Sequence, residues 1–179
     1  MKKKIALGIL AALGLAVAGL LVAAAMQPDS FRVERSRELA ASPEQIRPQL
    51  TDLERWAEWN PWADLDPNQQ TTFSDPASGE GAWYRWEGND DVGKGKMEIA
   101  SVTDGAVRYH LEFIEPFASE SEVEIQLEPQ GERTRVVWIM TGDNDFMGKL
   151  FSLFMDMDEM IGADFERGLE RLEGAATAG

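Results

Sequence analysis

The stretch Leu50–Trp62 reads LTDLERWAEWNPW and places three tryptophans within seven residues. Its centre, from about Asp52 to Glu58, has the composition of a short helix. Asn60-Pro61 ends that helix, because the residue before a proline avoids helical backbone angles. The three indole rings, Trp56, Trp59 and Trp62, therefore gather on this helix and at its exit. We expect them to seal one end of a hydrophobic core; the alternative is an aromatic rim at the mouth of a cavity.

One strand and one helix are predicted before this stretch. Phe31–Leu39 alternates loosely between apolar and polar residues, which is typical of a half-buried strand. A helix then begins at Ser42, which caps its first turn, while Pro43 suits the first helical position and Gln45 completes a capping box. Pro48 keeps this helix short.

After the tryptophan-rich stretch, the chain changes to short strands separated by turn residues. The gaps between them are too short for crossover helices, so the strands form antiparallel hairpins. Apolar and polar residues alternate in the longer strands, which predicts a sheet with one buried face and one wet face. The predicted strands are Thr71–Ser74, Ala82–Glu87, Lys94–Val102, Val107–Ile114, Glu120–Glu128 and Arg133–Thr141.

A single long helix, from about Asp145 to Leu172, is predicted to close the chain, with Gly174 as its stop signal. One face of this helix carries an apolar stripe, which must be buried against the one sheet available. The stripe consists of Met147, Phe151, Phe154, Ile161, Phe165, Leu169 and Leu172. The sequence thus predicts an α+β fold, in which a curved antiparallel sheet of about six or seven strands and two short helices grip a long C-terminal helix. A ligand would sit between sheet and helix.

The N-terminal segment is basic and then apolar. Lys2, Lys3 and Lys4 precede 22 uncharged residues, Ile5–Met26, which as a helix would span about 33 Å, enough to cross a bilayer. This length favours an uncleaved signal anchor with the C-terminal domain translocated, to the periplasmic side in a Gram-negative bacterium. The alternative is a signal peptide cleaved near Ala25, which leaves a secreted or periplasmic protein. The predicted division is 1–26 anchor, 27–30 linker, 31–173 domain and 174–179 flexible tail.

Composition excludes several classes of function. The chain has no cysteine and one histidine, so disulfides, thiolate metal sites and a histidine-based triad are not expected. We expect neither a metal nor a cofactor. The net charge of −15 becomes −18 after Met26, because all three leading lysines are lost and no acid precedes Asp29. Such an acidic domain is not expected to bind nucleic acid, whose phosphates require a basic surface.

Four motifs resemble the SRPBCC superfamily, specifically its polyketide cyclase/dehydratase-like branch, which includes START-type lipid-binding relatives. They are Ser42–Ile46, Leu50–Trp62, Gly131–Val136 and Phe165–Leu172. The resemblance covers about Phe31–Leu172, and it implies a helix-grip fold with a cavity. It also implies either binding of a small hydrophobic molecule or lipid, or cyclase/dehydratase-type chemistry.

Asp158 is the one acid that the helical wheel places on the apolar stripe, within about 20° of its centre. A carboxylate facing a cavity would have a raised pKa and could orient a ligand or act as an acid–base group. The alternatives are an ion pair, with Arg85 or Arg135 as candidate partners, or a helix bent enough to expose Asp158. His110 alternates with Arg108 and Glu112 and is expected to face solvent.

The predicted ligand-binding residues are Trp86, Tyr109, Leu111, Trp138, Phe154, Asp158 and Ile161. The leading hypothesis is a membrane-anchored domain that binds a small hydrophobic molecule or lipid without catalysis, with residues 5–26 in the membrane. The first alternative is a cyclase/dehydratase-type lyase or isomerase, in which Asp158 is the acid–base group and Tyr109 polarises a carbonyl. The second alternative is an extracytoplasmic protein-interaction module that uses the acidic surface.

Overall fold

Seven strands and five helices make up the computed structural model, which describes the backbone of residues 2–178 and the side chains of residues 8–178. The side chains of the predicted basic start, Lys2–Lys4, and the last residue of the predicted tail, Gly179, lie outside the described part. The helices are α1 (Lys2–Ala25), α2 (Pro43–Thr51), α3 (Leu53–Trp59), α4 (Phe146–Phe151) and α5 (Met157–Thr177). The strands are β1 (Ser30–Leu39), β2 (Gln70–Phe73), β3 (Trp83–Glu87), β4 (Lys94–Val102), β5 (Ala106–Glu115), β6 (Ser119–Gln130) and β7 (Arg133–Asp143).

All seven strands form one antiparallel sheet in the order β1-β7-β6-β5-β4-β3-β2. Strands β2 to β6 each pair with the next strand in sequence, as short hairpin connections require, and β7 pairs in addition with β1. The predicted α+β fold with an antiparallel sheet and a C-terminal helix is therefore confirmed.

The strand register defines two ends of the sheet. At one end Ser30 lies opposite Asp143, and the β5–β6 and β3–β4 turns lie at the same end because Phe113 pairs with Ser119 and Lys94 with Glu87. We call this the α1 end, since α1 leads directly into Ser30. The opposite end, which we call the far end, carries the β6–β7 and β4–β5 turns.

Helices α2 and α3 follow the predicted caps. The Ser42 backbone N–H donates to Gln45 Oε1 at 2.9 Å, which is the expected capping box. Asp52 ends α2 and begins α3, because its carboxylate accepts hydrogen bonds from the backbone N–H groups of Glu54 and Arg55. The chain therefore changes direction between the two helices at Asp52, which the sequence places at the start of the second helix.

The closing segment is two helices, so the prediction of one long helix from Asp145 to Leu172 is wrong. Residues 152–156 break it, and Asp156 starts α5 afresh by accepting a hydrogen bond from the Glu159 backbone N–H at 3.1 Å. The break resets the helical phase, which leaves Phe154 outside the stripe and 70% exposed. Phe165, Leu169 and Leu172 keep their predicted buried positions on α5.

Helix α5 also continues past its predicted stop at Gly174 and ends at Thr177. Residues 174–177, which the sequence assigned to a flexible tail, are therefore helical. Ala176 is buried, and Gln49 Nε2 donates to the Ala175 carbonyl at 3.3 Å. This contact with α2 and two helix-favouring alanines outweigh the glycine.

Helix α1 is long and apolar enough over Gly8–Ala25 to span a membrane, and a signal sequence would meet the same criteria. Most of its described side chains are exposed. Ala24, near its C-terminal end, is fully buried, and α1 contacts α4.

Two glycines of α5 give a test of how closely this helix packs on the sheet. A Cβ at Gly168 would lie 2.6 Å from the buried Trp138 ring, whereas a Cβ at Gly174 would meet nothing within 4 Å. We expect Gly168→Ala to lower the free energy of unfolding by about 1–3 kcal/mol through overpacking. Gly174→Ala should instead raise it by up to about 1 kcal/mol through helix propensity. Urea unfolding of the full chain measures both, and equal effects would contradict the packing described.

Candidate functional site

A cavity of about 250 Å³ lies between the sheet and the first half of α5. Strand alternation builds one wall, because side chains two residues apart point to the same face. The sheet contributes six of the larger lining residues: Tyr84, Trp86, Met97, Leu111, Phe113 and Trp138. Helix α5 and the segment after α3 contribute Met160, Ile161, Asp164, Phe165, Trp62 and Leu65, and the polar side chains of Gln69 and the exposed Asp91 also line the cavity. The volume lies just below the usual range of about 300–1,000 Å³ for drug-sized ligands, so the cavity suits a small molecule.

The Trp86 ring lies across strand β4 because Gly95, its register partner, has no side chain. A Cβ at Gly95 would lie 2.3 Å from the Trp86 ring. The ring therefore covers the β4 backbone and contacts Phe113 edge to face, with ring centroids 5.9 Å apart. The glycine thus sets the position of one wall of the cavity.

Tryptophans close the inner part of the cavity. Trp138 stacks on Phe165 with ring centroids 4.4 Å apart, and Trp56 and Trp59 meet it edge to face. Trp56 and Trp59 are buried, as expected of rings that seal a core, while the partly buried Trp62 lines the cavity. The indole N–H groups of Trp56 and Trp138 are buried without a hydrogen-bond acceptor in the described part of the chain. Their neighbours are aromatic rings, whose faces attract such N–H groups weakly.

Tyr84 supplies the free polar group of the inner wall. Burial raises the pKa of its hydroxyl to about 12, and the nearby Trp56 indole partly offsets that rise. The hydroxyl is therefore neutral at pH 7. The Trp56 indole N–H approaches the hydroxyl oxygen without reaching hydrogen-bond geometry, and the hydroxyl hydrogen has no acceptor within residues 8–178, so this O–H is available to a ligand.

The other inner polar side chains of the cavity are already engaged. Asn60 Nδ2 donates to the carbonyls of Trp56 and Ala57, and its Oδ1 accepts from the Trp62 backbone N–H. Asp164 Oδ2 accepts from Trp62 Nε1 at 2.9 Å, and its other oxygen pairs with Arg167. These groups hold the cavity wall in place.

Of the seven predicted ligand-binding residues, four line the cavity and three lie elsewhere. Trp86, Leu111, Trp138 and Ile161 are on its wall, whereas Tyr109, Phe154 and Asp158 are not. Tyr109 is fully buried beside α2, where its hydroxyl donates to the Leu50 carbonyl at 2.8 Å, and burial raises its pKa well above its usual value. The ligand-binding role of the four wall residues stays a prediction.

Asp158 is 57% exposed and forms an ion pair, so it does not face the cavity as predicted. The Arg35 guanidinium of β1 donates to the two carboxylate oxygens of Asp158 at 3.0 and 3.1 Å. It also donates to the Asp158 backbone carbonyl at 2.8 Å. The hydrogen bond from Arg35 lowers the pKa of Asp158, opposite to the predicted rise. Asp158 lies on the same side of α5 as Phe165, but in the first turn of the helix, where that side meets Arg35 of β1. Its partner is therefore neither Arg85 nor Arg135.

His110 contacts Glu122, with Nδ1 at 2.8 Å from Oε1, on the outer face of the sheet. The hydrogen bond to Glu122 raises its pKa, and the side chain lies outside the cavity, in agreement with its expected solvent-facing position. Among the described residues, no three histidine, cysteine, aspartate or glutamate side chains are grouped closely enough to hold a metal ion.

Sequence reasoning missed Tyr84 and Asp164. Strand alternation could have found Tyr84, since it lies two residues before Trp86 and so on the same face. Asp164 lies about 100° from Phe165 around α5, at the margin of the apolar stripe, so the helical pattern alone does not place it beside the cavity.

The comparisons with known proteins agree with this architecture. A family model described as "Polyketide cyclase / dehydrase and lipid transport" matches residues 30–177. No curated protein matches the chain.

Solved structures share the fold at low sequence identity. The Mll3558 protein from Rhizobium loti is 18% identical with a TM-score of 0.59, covering 82% of this chain and 96% of its own. The MLL2253 protein from Mesorhizobium loti is 16% identical with a TM-score of 0.60, covering 83% and 98%. The Aha1 dimer from Colwellia psychrerythraea is 17% identical with a TM-score of 0.58, covering 82% and 96%.

The Asp158–Arg35 pair gives a pH test. Because Arg35 lowers the folded-state pKa of Asp158, the stabilisation is present above its ordinary value of 3.8 and is lost as the pH falls through the folded-state value. We expect Asp158→Asn to cost less than about 1 kcal/mol near pH 7, since the pair is exposed, and the cost to vanish toward about pH 2. Urea unfolding across pH measures this difference.

The matched control is Glu170→Gln, which removes an exposed acid of the same helix that has no ion pair in the described part of the chain. It should show no comparable pH dependence. A raised pKa at Asp158 would give the reverse sign, with Asp158→Asn becoming more stable than the native protein as the pH rises.

Proposed function

The chain belongs to the polyketide cyclase/dehydrase and lipid transport family, and from this membership we propose that its cavity binds a small hydrophobic molecule bearing one polar group. We further propose that α1 anchors the domain to a membrane. The observation that carries the ligand proposal is the cavity lining, which is mostly apolar. Its polar members are Asn60 and Asp164, whose polar atoms are already hydrogen-bonded, together with Tyr84, Gln69 and Asp91.

The apolar lining supplies the affinity in this proposal. Each methylene moved from water into such an environment contributes about 0.8 kcal/mol. The aromatic faces of Trp86 and Phe113 and the flexible side chain of Met97 suit flat or slender hydrocarbon groups. A molecule that fills about 250 Å³ gains most of its binding free energy in this way.

Tyr84 supplies the polar selectivity. Its neutral hydroxyl can donate a hydrogen bond to a carbonyl or hydroxyl oxygen on the ligand, because burial holds its pKa at about 12. An apolar molecule without such an oxygen leaves this hydroxyl unpaired. A buried polar group without a partner costs free energy, so the site favours the oxygen-bearing ligand.

The cyclase/dehydratase-type alternative depended on Asp158 and Tyr109, and neither side chain lies on the cavity wall. The inner carboxylate that does line the cavity is Asp164, which is held by Trp62 and Arg167. Ligand binding requires no proton exchange with any of these groups, and it therefore fits the arrangement better.

The anchor proposal predicts that residues 1–26 remain on the mature protein. We expect the full chain, expressed in a Gram-negative host, to stay in the membrane fraction after an alkaline carbonate wash. Its intact mass should match the uncleaved sequence of 19.9 kDa. A soluble product that starts after Ala25 would instead show a cleaved signal peptide.

The two tyrosines of the chain give a matched test of the ligand site. Tyr84→Phe should abolish a preference for 2-acetylnaphthalene over 2-ethylnaphthalene, which differ by one carbonyl oxygen. We expect that preference to be about 2- to 10-fold in the native protein, the usual worth of one hydrogen bond. Calorimetric titration of the full chain in nanodiscs, with empty nanodiscs as the blank, measures it.

Tyr109→Phe is the control, because it removes the hydroxyl that donates to Leu50 and lies outside the cavity. It should keep the ligand preference and lower the free energy of unfolding by about 1 kcal/mol. The ligand proposal fails if the native protein binds neither compound, or if the two variants change the preference equally.

A further inference from the structure

A group of exposed apolar side chains surrounds the α1 end of the sheet. We call this group the apolar rim and define it as Leu65, Ile114, Phe117, Phe151, Phe154 and Met160, each at least 42% exposed. Phe117 in the β5–β6 turn contacts Phe151 of α4, with ring centroids 5.9 Å apart, so the two segments form one surface. Large exposed apolar surfaces of this kind mark interaction sites in soluble domains.

The apolar rim lies directly beside the end of α1. The Asn144 backbone N–H donates to the Asp29 carbonyl at 2.8 Å, and Asn144 Nδ2 donates to the Pro28 carbonyl at 3.1 Å. Lys149 of α4 pairs with the Asp29 carboxylate. Ala24 is buried, and α1 contacts α4. Helix α4, which ends at Phe151, therefore contacts α1, the proposed anchor, and the segment before it bonds to Pro28 and Asp29 of the linker.

The exposed side of the cavity lies at the same end of the sheet. Leu65 and Met160 belong both to the cavity lining and to the apolar rim. Val92, in the β3–β4 turn, and Phe113, at the end of β5, also line the cavity there. Anchor, rim and cavity mouth therefore share the α1 end, while the tryptophans close the inner part.

We propose that the apolar rim docks into the surface of the lipid bilayer beside α1, so that the cavity mouth opens toward the membrane. A hydrophobic ligand would then pass between lipid and cavity without crossing bulk water. This inference rests on the proposed ligand binding and on the anchor, and it adds where the ligand enters.

The charges near the apolar rim specify which lipid it would meet. Asp145, Asp156 and Glu159 lie at the ends of α4 and α5, and Lys149, the basic residue between them, is paired with Asp29. Electrostatic attraction to anionic lipid is therefore not expected. Docking by apolar insertion should occur on zwitterionic phosphatidylcholine and should be insensitive to salt.

Depth-dependent quenching tests the docking, and the cysteine-free sequence allows single labels. Phe117→Cys and Phe154→Cys each carry a bimane fluorophore in the full chain, reconstituted in phosphatidylcholine vesicles that contain nitroxide-labelled lipid. The control is Glu132→Cys, an exposed residue in the β6–β7 turn at the far end. We expect at least 3-fold stronger quenching at both rim positions, unchanged in 0.5 M salt. Quenching equal to that of Glu132→Cys would overturn the proposal.

A second copy of the chain is the competing occupant of the apolar rim. Efficient disulfide dimerisation of unlabelled Phe154→Cys in the same vesicles, together with weak lipid quenching, would assign the rim to a protein dimer and overturn membrane docking. Monomeric behaviour with strong quenching supports docking.

Transfer kinetics separate this inference from the proposed function. The double variant Phe117→Glu and Phe154→Glu should slow transfer of 2-acetylnaphthalene from vesicles to the protein at least 10-fold and leave its equilibrium affinity within about 2-fold of native. Native rates would overturn the entry route. If native protein binds no ligand, the proposed function fails, and quenching alone then decides the docking.

Discussion

The stacking of Trp138 on Phe165 is the contact on which the arrangement of sheet and helix depends. Gly168, one turn further along α5, removes the side chain that would otherwise separate helix and indole. The helix is therefore held close to the sheet at its centre. Toward its start, α5 presents Met160, Ile161 and Asp164 to open space instead. The cavity thus results from close packing of α5 on the sheet at Phe165 and Gly168 and from the lack of such packing toward the start of the helix.

Aromatic and polar side chains occupy different parts of the cavity lining. Indole and phenyl rings occupy the inner part, and engaged polar groups such as Asn60 and Asp164 hold the wall. The Tyr84 hydroxyl adds an O–H without an acceptor in the described part of the chain, and the exposed Asp91 also lies on the lining. Under the proposed function, such a cavity would select a ligand by shape, hydrophobic area and one hydrogen bond.

Much of the fold could be predicted from sequence, because strand alternation and capping are local signals. The strands and the start of α2 at Pro43 lie close to their predicted bounds. The break between α4 and α5 could not be predicted in this way, since residues 152–156 contain no glycine or proline and Asp156 resembles the other acids of the segment. The missed break misplaced Phe154, whereas the choice of acid failed for another reason: the first turn of α5, with Asp158, meets Arg35, and Asp164 further along borders the cavity. Long-range contacts, such as that of Arg35 with Asp158, have no local signal.

The pairing of β1 with β7 has a consequence for the order in which the domain is made. β1 is the first strand to follow α1, yet its register partners lie 95–113 residues later in the chain. During synthesis β1 has no strand partner until almost the whole domain has emerged, and contacts between such distant residues form slowly. Charged residues of β1, among them Arg32, Glu34 and Arg37, favour solvation of the unpaired strand and discourage its pairing with a strand other than β7. The charged residues of β1 therefore lower its tendency to pair with another chain before β7 is available.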